Sequence, residues 1–524
     1  MSVPSTPIAS VILLLASAAA SSADFLVDTT SDDGAAAFQA CDADPANANC
    51  SLRGALVAMN ASAGPHTIRF ELPVSDPGYV PATSHWRFSP VTPYPYITRE
   101  LTIDGYTQPG ALPNTNTPAQ GGSNAVLKIE IAGPGRSAQT DGLQAVNGIG
   151  NATLTLRGVA INRFFRNVSL YNVAPHRIEG CFIGSDITGA QGFDPGLAGW
   201  IGVVHGGGTL QLGGTAPATR NLVSGNLYIG LWQSAPNPLV VEGNLFGTNA
   251  AGTAELPRQD YAIYLNATGQ AATIGGTAAA ARNHFGANRF GAIYVNSQVP
   301  AGMPNPQAVR IVGNVFGTDA SETLALGNGL NPASPSQPQA TIFAFGGGRC
   351  GIAVGGDAAG EGNLIAYGGA AGVQVSGCTQ APVLGNRFLR NRTLALDISP
   401  GSNADGATPN DPGDADDGGN RLQNVPEMTA LTCAAGTCTL GFRVDTAVAN
   451  AAYPLRIDVM RGRNGQPEAP VASVTYLAAD AGLERTLTFA AAALSGGALV
   501  LSATDALGNT SEFGGDHLFS ADFD

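Results

Sequence analysis

Between about residues 150 and 400 the chain repeats itself, and this constrains its fold more than any other feature. Ile178-Glu179-Gly180-Cys181-Phe182-Ile183-Gly184-Ser185-Asp186 aligns with Val241-Glu242-Gly243-Asn244-Leu245-Phe246-Gly247-Thr248-Asn249. Both align with Ile311-Val312-Gly313-Asn314-Val315-Phe316-Gly317-Thr318-Asp319, and more loosely with Val383-Leu384-Gly385-Asn386-Arg387-Phe388. The intervals between Cys181, Asn244, Asn314 and Asn386 are 63, 70 and 72 residues. A second element alternates with the first: Gly213-Gly214, Gly275-Gly276 and Gly355-Gly356 precede Asn221, Asn283 and Asn363, each asparagine 7 residues after the second glycine.

Short runs rich in β-branched and aromatic residues lie between these signals, such as Ala262-Ile263-Tyr264-Leu265 and Ile293-Tyr294-Val295. Strands this short bury nothing alone, but stacked coils pair their backbones at a spacing of about 4.8 Å and enclose a continuous core. The expected body is therefore an all-β solenoid, a right-handed parallel β-helix with two or three coils per repeat unit. Turns between its strands need positive φ, which glycine and asparagine tolerate, and stacked asparagine amides can bond from coil to coil. Asn221, Asn244, Asn283, Asn314, Asn363 and Asn386 are accordingly assigned to structure, the alternative being a ladder of sugar-binding amides.

A chain of 524 residues exceeds one ordinary globular core, and 69 glycines and 34 prolines suit a repeat better than a helical enzyme. The apolar run Val11 to Ala16, followed by small residues up to Ala23, reads as a signal peptide over residues 1–23, with the mature chain starting near Asp24. The run is shorter than the roughly 18 to 20 residues a membrane span needs. Export implies an oxidising compartment, so the seven cysteines suggest disulfides, with Cys41–Cys50, Cys350–Cys378 and Cys433–Cys438 as candidate pairs. Cys181 is left over as a buried, inert thiol. A net charge of −14 argues against nucleic acid and against a polyuronate, unless cations bridge it to surface carboxylates. Lys128 is the only lysine.

Solenoid ends need covering. Ser51 as N-cap, with Leu52, Ala55, Leu56 and Met59 on one face, forms the expected helical cap within residues 24–110, and Thr67-Ile68-Arg69-Phe70 is read as the first strand. The parallel β-helix is placed at 111–400. An acidic, Gly-rich joint follows at 401–426, then a β-sandwich at 427–515 and a tail at 516–524, whose Phe519 to Asp524 suggest a sorting signal.

Cys50-Ser51-Leu52-Arg53-Gly54-Ala55-Leu56, followed by Met59-Asn60 and Thr67 to Phe70, resembles the N-terminal CSLREA motif of exported bacterial β-helix proteins. Further matches are Ile103-Asp104-Gly105-Tyr106-Thr107-Gln108-Pro109-Gly110, the Gly-Asn-Phe-Gly-Thr-Asp repeats, Asn410 to Asp416, and Ala503 to Phe513. Gly54 stands in place of the motif's Glu, and His66 where Asp is usual. The resemblance spans nearly the whole mature chain. It implies a pectin-lyase-like right-handed β-helix with a surface or extracellular role, and it carries no catalytic residues.

Two functions remain. One is a secreted or cell-surface protein, binding or structural, whose partner is a glycan, matrix or another cell. The other is a polysaccharide lyase or glycoside hydrolase, since fold alone does not choose between them. The segments that mark polygalacturonases are missing, because Asp32-Asp33 and Asp416-Asp417 lie outside the repeats and His205-Gly206 follows Val204. A lyase needs a base and a cation beside the sugar carboxylate; Arg387, Arg390 and Arg392 are the candidates for the base. Binding is therefore expected over catalysis. In the joint, Asp405, Asp411, Asp414, Asp416 and Asp417, with Asn410 and Asn420, offer oxygen ligands for calcium, though without EF-hand spacing. The competing reading is a solvated acidic linker. Trp200, Tyr228, Trp232, Tyr261 and Tyr264 recur over two units and are expected as core or rim packing, with sugar stacking as the alternative.

Overall fold

The structure is a computed structural model that describes residues 23–41, 49–146, 152–267, 271–297, 299, 309–331, 339–401, 405–495 and 497–515. The expected signal peptide up to residue 22 and the tail from 516 lie outside the described residues.

The chain winds as a parallel β-helix with three faces. Two faces are eleven-stranded sheets and one is nine-stranded, and neighbouring strands come from successive coils except at the start of the third sheet, where Tyr79–Val80 pairs antiparallel with His85–Phe88. Such crossovers run right-handed because the strands themselves twist. The first sheet begins at Ala23–Val27 and ends at Val383–Leu384. The second runs from Leu143–Ala145 to Leu396–Ser399, and the third from Tyr79–Val80 to Arg387–Leu389.

Register explains the core. In the first sheet Ile68, Ile103, Leu156, Ile178, Leu212, Val241, Ile274, Ile311, Val354 and Val383 lie one above another. All ten are buried. In the third sheet the Phe of the repeated Phe-Gly motif takes the inward position. Phe246, Phe285 and Phe316 stack with centroids 4.9 and 4.7 Å apart. Alternation along each strand thus sends one aliphatic or aromatic residue per coil into a common interior.

The asparagines form a continuous internal ladder. Side-chain amides of Asn221, Asn244, Asn283, Asn314, Asn363 and Asn386 join successive coils at 2.8 to 3.1 Å. Their spacing shows that each repeat unit winds two coils. Cys181 occupies the rung below Asn221, donating its backbone amide to the Asn221 carboxamide oxygen at 2.9 Å. Burial pushes this thiol up to about 12, so it stays protonated.

At the N-terminal end the helix Leu52–Ala61 packs Leu52, Ala55, Leu56 and Met59 into the interior, and Ser51 Oγ accepts from the Gly54 amide at 2.8 Å. A Cβ on Gly54 would lie 1.9 Å from the Phe38 carbonyl oxygen. That close approach leaves no room for a side chain at this position. One expectation is corrected here: the first strand is Ala23–Val27, and His66–Phe70 pairs with it as the second rung. The cap helix is an excursion between two rungs, which a reading of local pattern does not reveal.

The C-terminal module is a β-sandwich of two three-stranded antiparallel sheets. Glu427–Ala434, Thr437–Arg443 and Arg485–Ala490 form one, and Leu455–Arg463, Gln466–Tyr476 and Ala498–Thr504 the other. Leu440, Phe442, Ile457, Val459, Tyr476 and Leu501 fill its core. Side chains of this module cover the exposed backbone of the last coil. Thr510 accepts from the Val383 amide at 3.1 Å, Asn509 from Gln380 at 2.8 Å, and Glu512 from Ile398 at 3.2 Å. Gln466 accepts from both the main-chain and side-chain amides of Asn391. Disulfides join Cys41–Cys50, Cys350–Cys378 and Cys433–Cys438, a set that fits an oxidising compartment. No helix among the described residues is long and apolar enough to cross a membrane.

Candidate functional site: an aromatic face on the second sheet

The strands of the second sheet project alternate residues outward, and repetition therefore turns a local preference into a line. Trp232, Tyr264, Tyr294 and Phe343 are register partners on successive coils. Beside them Trp200, Tyr228, Tyr261 and Phe290 form a second line. Every one of these rings is half-buried, so the group lies on the outer surface and not in the core. Tyr264 and Tyr294 stack at 4.6 Å, and Tyr294 meets Phe343 edge-on at 5.3 Å. Trp200 and Tyr228 are tilted, 5.1 Å apart, and Tyr261 bridges the lines with Tyr264 at 6.0 Å.

A groove of 370 Å³ runs along these rings, with Trp200, Tyr228, Trp232 and Tyr264 in its wall and Arg166 and Asn266 at its polar rim. Arg166 pairs with Asp141 at 2.9 Å, and Arg289, over the Phe290 ring, pairs with Asp260 at 3.3 Å. Burial, reinforced by Tyr294 and Tyr228, pushes the Tyr264 phenol up to about 12, and burial raises Tyr261 further. The phenols thus remain neutral hydroxyls able to donate as well as accept. The surface combines flat apolar rings with a few hydrogen-bonding groups, the composition of a small-molecule site. Trp200, Tyr228, Trp232, Tyr261 and Tyr264 were readable from the recurrence; Phe290, Tyr294 and Phe343 are revealed only by register.

The acidic joint divides in two. Asp411, Asp414 and Asp416 bring carboxylate oxygens within 4.8 Å of one another. The buried Asp414 is already engaged there, accepting from Gln423, from Thr446 at 3.1 Å and from the Asn424 amide at 2.9 Å. Burial raises its carboxyl to about 7, with Asp411 and Asp416 adding to the effect. Asp411 accepts from the Ala415 amide and Asp417 from Gly418, as turn residues do. Asn420 bonds Ala381 and Thr510, joining the solenoid to the module, and Asn410 bonds Val425. Asp405 stands apart from this group, facing Asp397 and Glu512.

The three arginines do not assemble into a catalytic centre. All are exposed on the last coil. Arg387 pairs with Glu322 at 2.7 Å, and the Arg392 backbone donates to Gly368.

Sequence reasoning missed a second internal ladder through Asn167, Asn226, Gln259, Asn288 and Asn328, joined at 2.8 to 3.2 Å. A signal was available, since Asn226, Asn288 and Asn391 each follow a first-ladder asparagine by 5 residues. It is obscured because loops inserted after Asn244 and Asn314 move the equivalent residue to Gln259 and Asn328. Those loops are pinned by the last residue of the Gly-Thr-Asn/Asp motif. Asn249 accepts from Thr253 and Ala254, and Asp319 from Thr323 and Leu324. Compared with known proteins, the chain matches no family model, no curated protein and no solved structure.

Proposed function

We propose that the chain is an exported glycan-binding protein that receives a neutral oligosaccharide on the aromatic face of the second sheet. The observation that carries this reading is the double line of half-buried rings, repeated coil after coil beside a groove with a polar rim. Sugar rings offer apolar C–H faces that pack on aromatic side chains, while their hydroxyls need donors and acceptors at the edge. Asn266, the Tyr264 hydroxyl and Arg166 supply these. Neutral saccharides are favoured because Arg166 and Arg289 are matched by Asp141 and Asp260, and because the chain carries net charge −14. Export rests on the N-terminal apolar segment and agrees with the three disulfides.

The test is calorimetric titration of the mature chain with neutral and acidic oligosaccharides, alongside Trp232→Ala and Tyr264→Ala, both surface changes. Saturable binding of a neutral glycan, weakened at least about tenfold in Trp232→Ala, supports the reading; about tenfold is 1.4 kcal/mol. Binding indifferent to both substitutions, or confined to acidic glycans, refutes it. Release of reducing ends or unsaturated products at enzymatic rates would establish the lyase or hydrolase reading instead.

A further inference from the structure

We propose that Thr83, His85 and Glu130 form a second site, one that hydrolyses small carboxylic esters with Thr83 as the nucleophile. These residues belong to the third sheet and its first turn, not to the aromatic face, so the inference does not rest on the glycan reading. The hairpin between Tyr79–Val80 and His85–Phe88 turns through residues 81–84, and Val80 pairs with His85 across it. His85–Phe88 then runs parallel to Ile129–Ala132, with Arg87 opposite Glu130. That register brings imidazole and carboxylate together. His85 Nε2 lies 2.9 Å from Glu130 Oε2, and both residues are 1% exposed. On the other side of the ring, His85 Nδ1 lies 2.6 Å from the Thr83 hydroxyl, and Thr83 is exposed on the turn.

The carboxylate sets the direction of this chain of bonds. Burial alone would raise the Glu130 carboxyl, but hydrogen bonds from His85, from Arg87 and, at 3.0 Å, from Asn162 outweigh it and hold it at about 2. An ionised carboxylate only accepts, so His85 Nε2 donates. The neutral imidazole then keeps its lone pair on Nδ1, and the Thr83 hydroxyl donates to it. A hydroxyl held on a base that a third group orients is the constellation of nucleophilic catalysis. Two features of the turn add to it. Ser84, next to Thr83, is held in the left-handed region at φ 51°, a strained conformation for a residue with a side chain. Lys128 Nζ donates to the Ser84 carbonyl at 2.8 Å, which brings the chain's only lysine to the turn on which an oxyanion would form. In the reaction Thr83 Oγ1 attacks the ester carbonyl carbon as its proton passes to His85 Nδ1, and Glu130 stabilises the imidazolium. The bond to the alkoxy oxygen breaks, and the alcohol leaves with that proton, giving acyl-Thr83. Water then attacks the acyl carbon, Nδ1 takes its proton and returns it to Thr83 Oγ1, and the carboxylic acid departs.

The experiment treats the full chain with a fluorophosphonate, reads the intact and peptide masses, and follows hydrolysis of 4-nitrophenyl acetate in parallel. The variants are Thr83→Ala and Thr83→Ser on the exposed turn, Ser84→Ala as the neighbouring hydroxyl, and Glu130→Gln. The expected result is a single phosphonyl group on the tryptic peptide Phe70–Arg87, lost in Thr83→Ala and kept in Thr83→Ser and Ser84→Ala. Ester hydrolysis should fall at least about a hundredfold in Thr83→Ala, the lower range for loss of a positioned catalytic group. Glu130 acts through His85 as a positioning residue, so Glu130→Gln, which lets the imidazole take either tautomer, should slow labelling and flatten its rise with pH. Absence of stoichiometric labelling in the parent, or labelling and hydrolysis that persist in Thr83→Ala, overturns the proposal.

Discussion

Asn244 and Asn283 occupy the same turn of successive coils, and the carboxamide nitrogen of the first donates to the carboxamide oxygen of the second at 3.0 Å. The Asn244 backbone amide shares that oxygen, also at 3.0 Å. Each rung is thus joined twice to the next, inside the solenoid where water cannot substitute.

Asn283→Ala should therefore be severely destabilising. It leaves the Asn244 backbone amide and the Val241 carbonyl without the partner Asn283 supplies, and takes one of two donors from the Asn314 oxygen and one of three acceptors from the Asn244 carboxamide. Buried groups left unsatisfied cost about 1 to 3 kcal/mol each, so a loss above about 3 kcal/mol is expected by denaturant titration. A loss below about 1 kcal/mol would show that the ladder is not a stabilising element.

Gly54→Ala tests the cap. Its Cβ would press on the Phe38 carbonyl, and crowding of backbone by a new side chain costs about 1 to 3 kcal/mol. Amide exchange of residues 52–61 should accelerate before that of the central coils; unchanged protection there would contradict the packing described.

Asp414 sets a pH dependence. Because its folded pKa, about 7, exceeds the unfolded value, the native joint holds a proton that the unfolded chain releases near pH 4. Stability should fall as pH rises from about 4 to 7 and level off above that. Asp414→Asn should flatten this slope when melting temperature is followed against pH, and an unaltered slope would place its origin elsewhere.

Reduction separates the three disulfides. Cys350–Cys378 closes 28 residues and joins adjacent coils, so Cys350→Ala/Cys378→Ala should cost about 3 to 4 kcal/mol on loop entropy. Removing Cys433–Cys438, which closes 5 residues, should cost less. Equal losses in the two double variants, measured by urea unfolding, would mean that loop length is not the governing term.

The solenoid was legible because its physics is local and recurrent. Phe246, Phe285 and Phe316, or Asn244 and Asn314, do the same task in each coil and so carry the same letter. The aromatic face was legible only in part: Trp232 and Tyr264 are visible as residues, but their alignment with Tyr294 and Phe343 depends on coil lengths that inserted loops vary. The place of Glu512 was hidden altogether, because its bond from the Ile398 amide joins residues more than a hundred positions apart that only the sandwich brings together.

Thr510, Asn509, Glu512 and Gln466 hold the positions that the carbonyls and turns of one more coil would fill. The number of rungs is thereby finite and set by the chain itself. A second molecule arriving at that pole meets donors of the last coil already engaged by these side chains, which works against lengthening of the rod there.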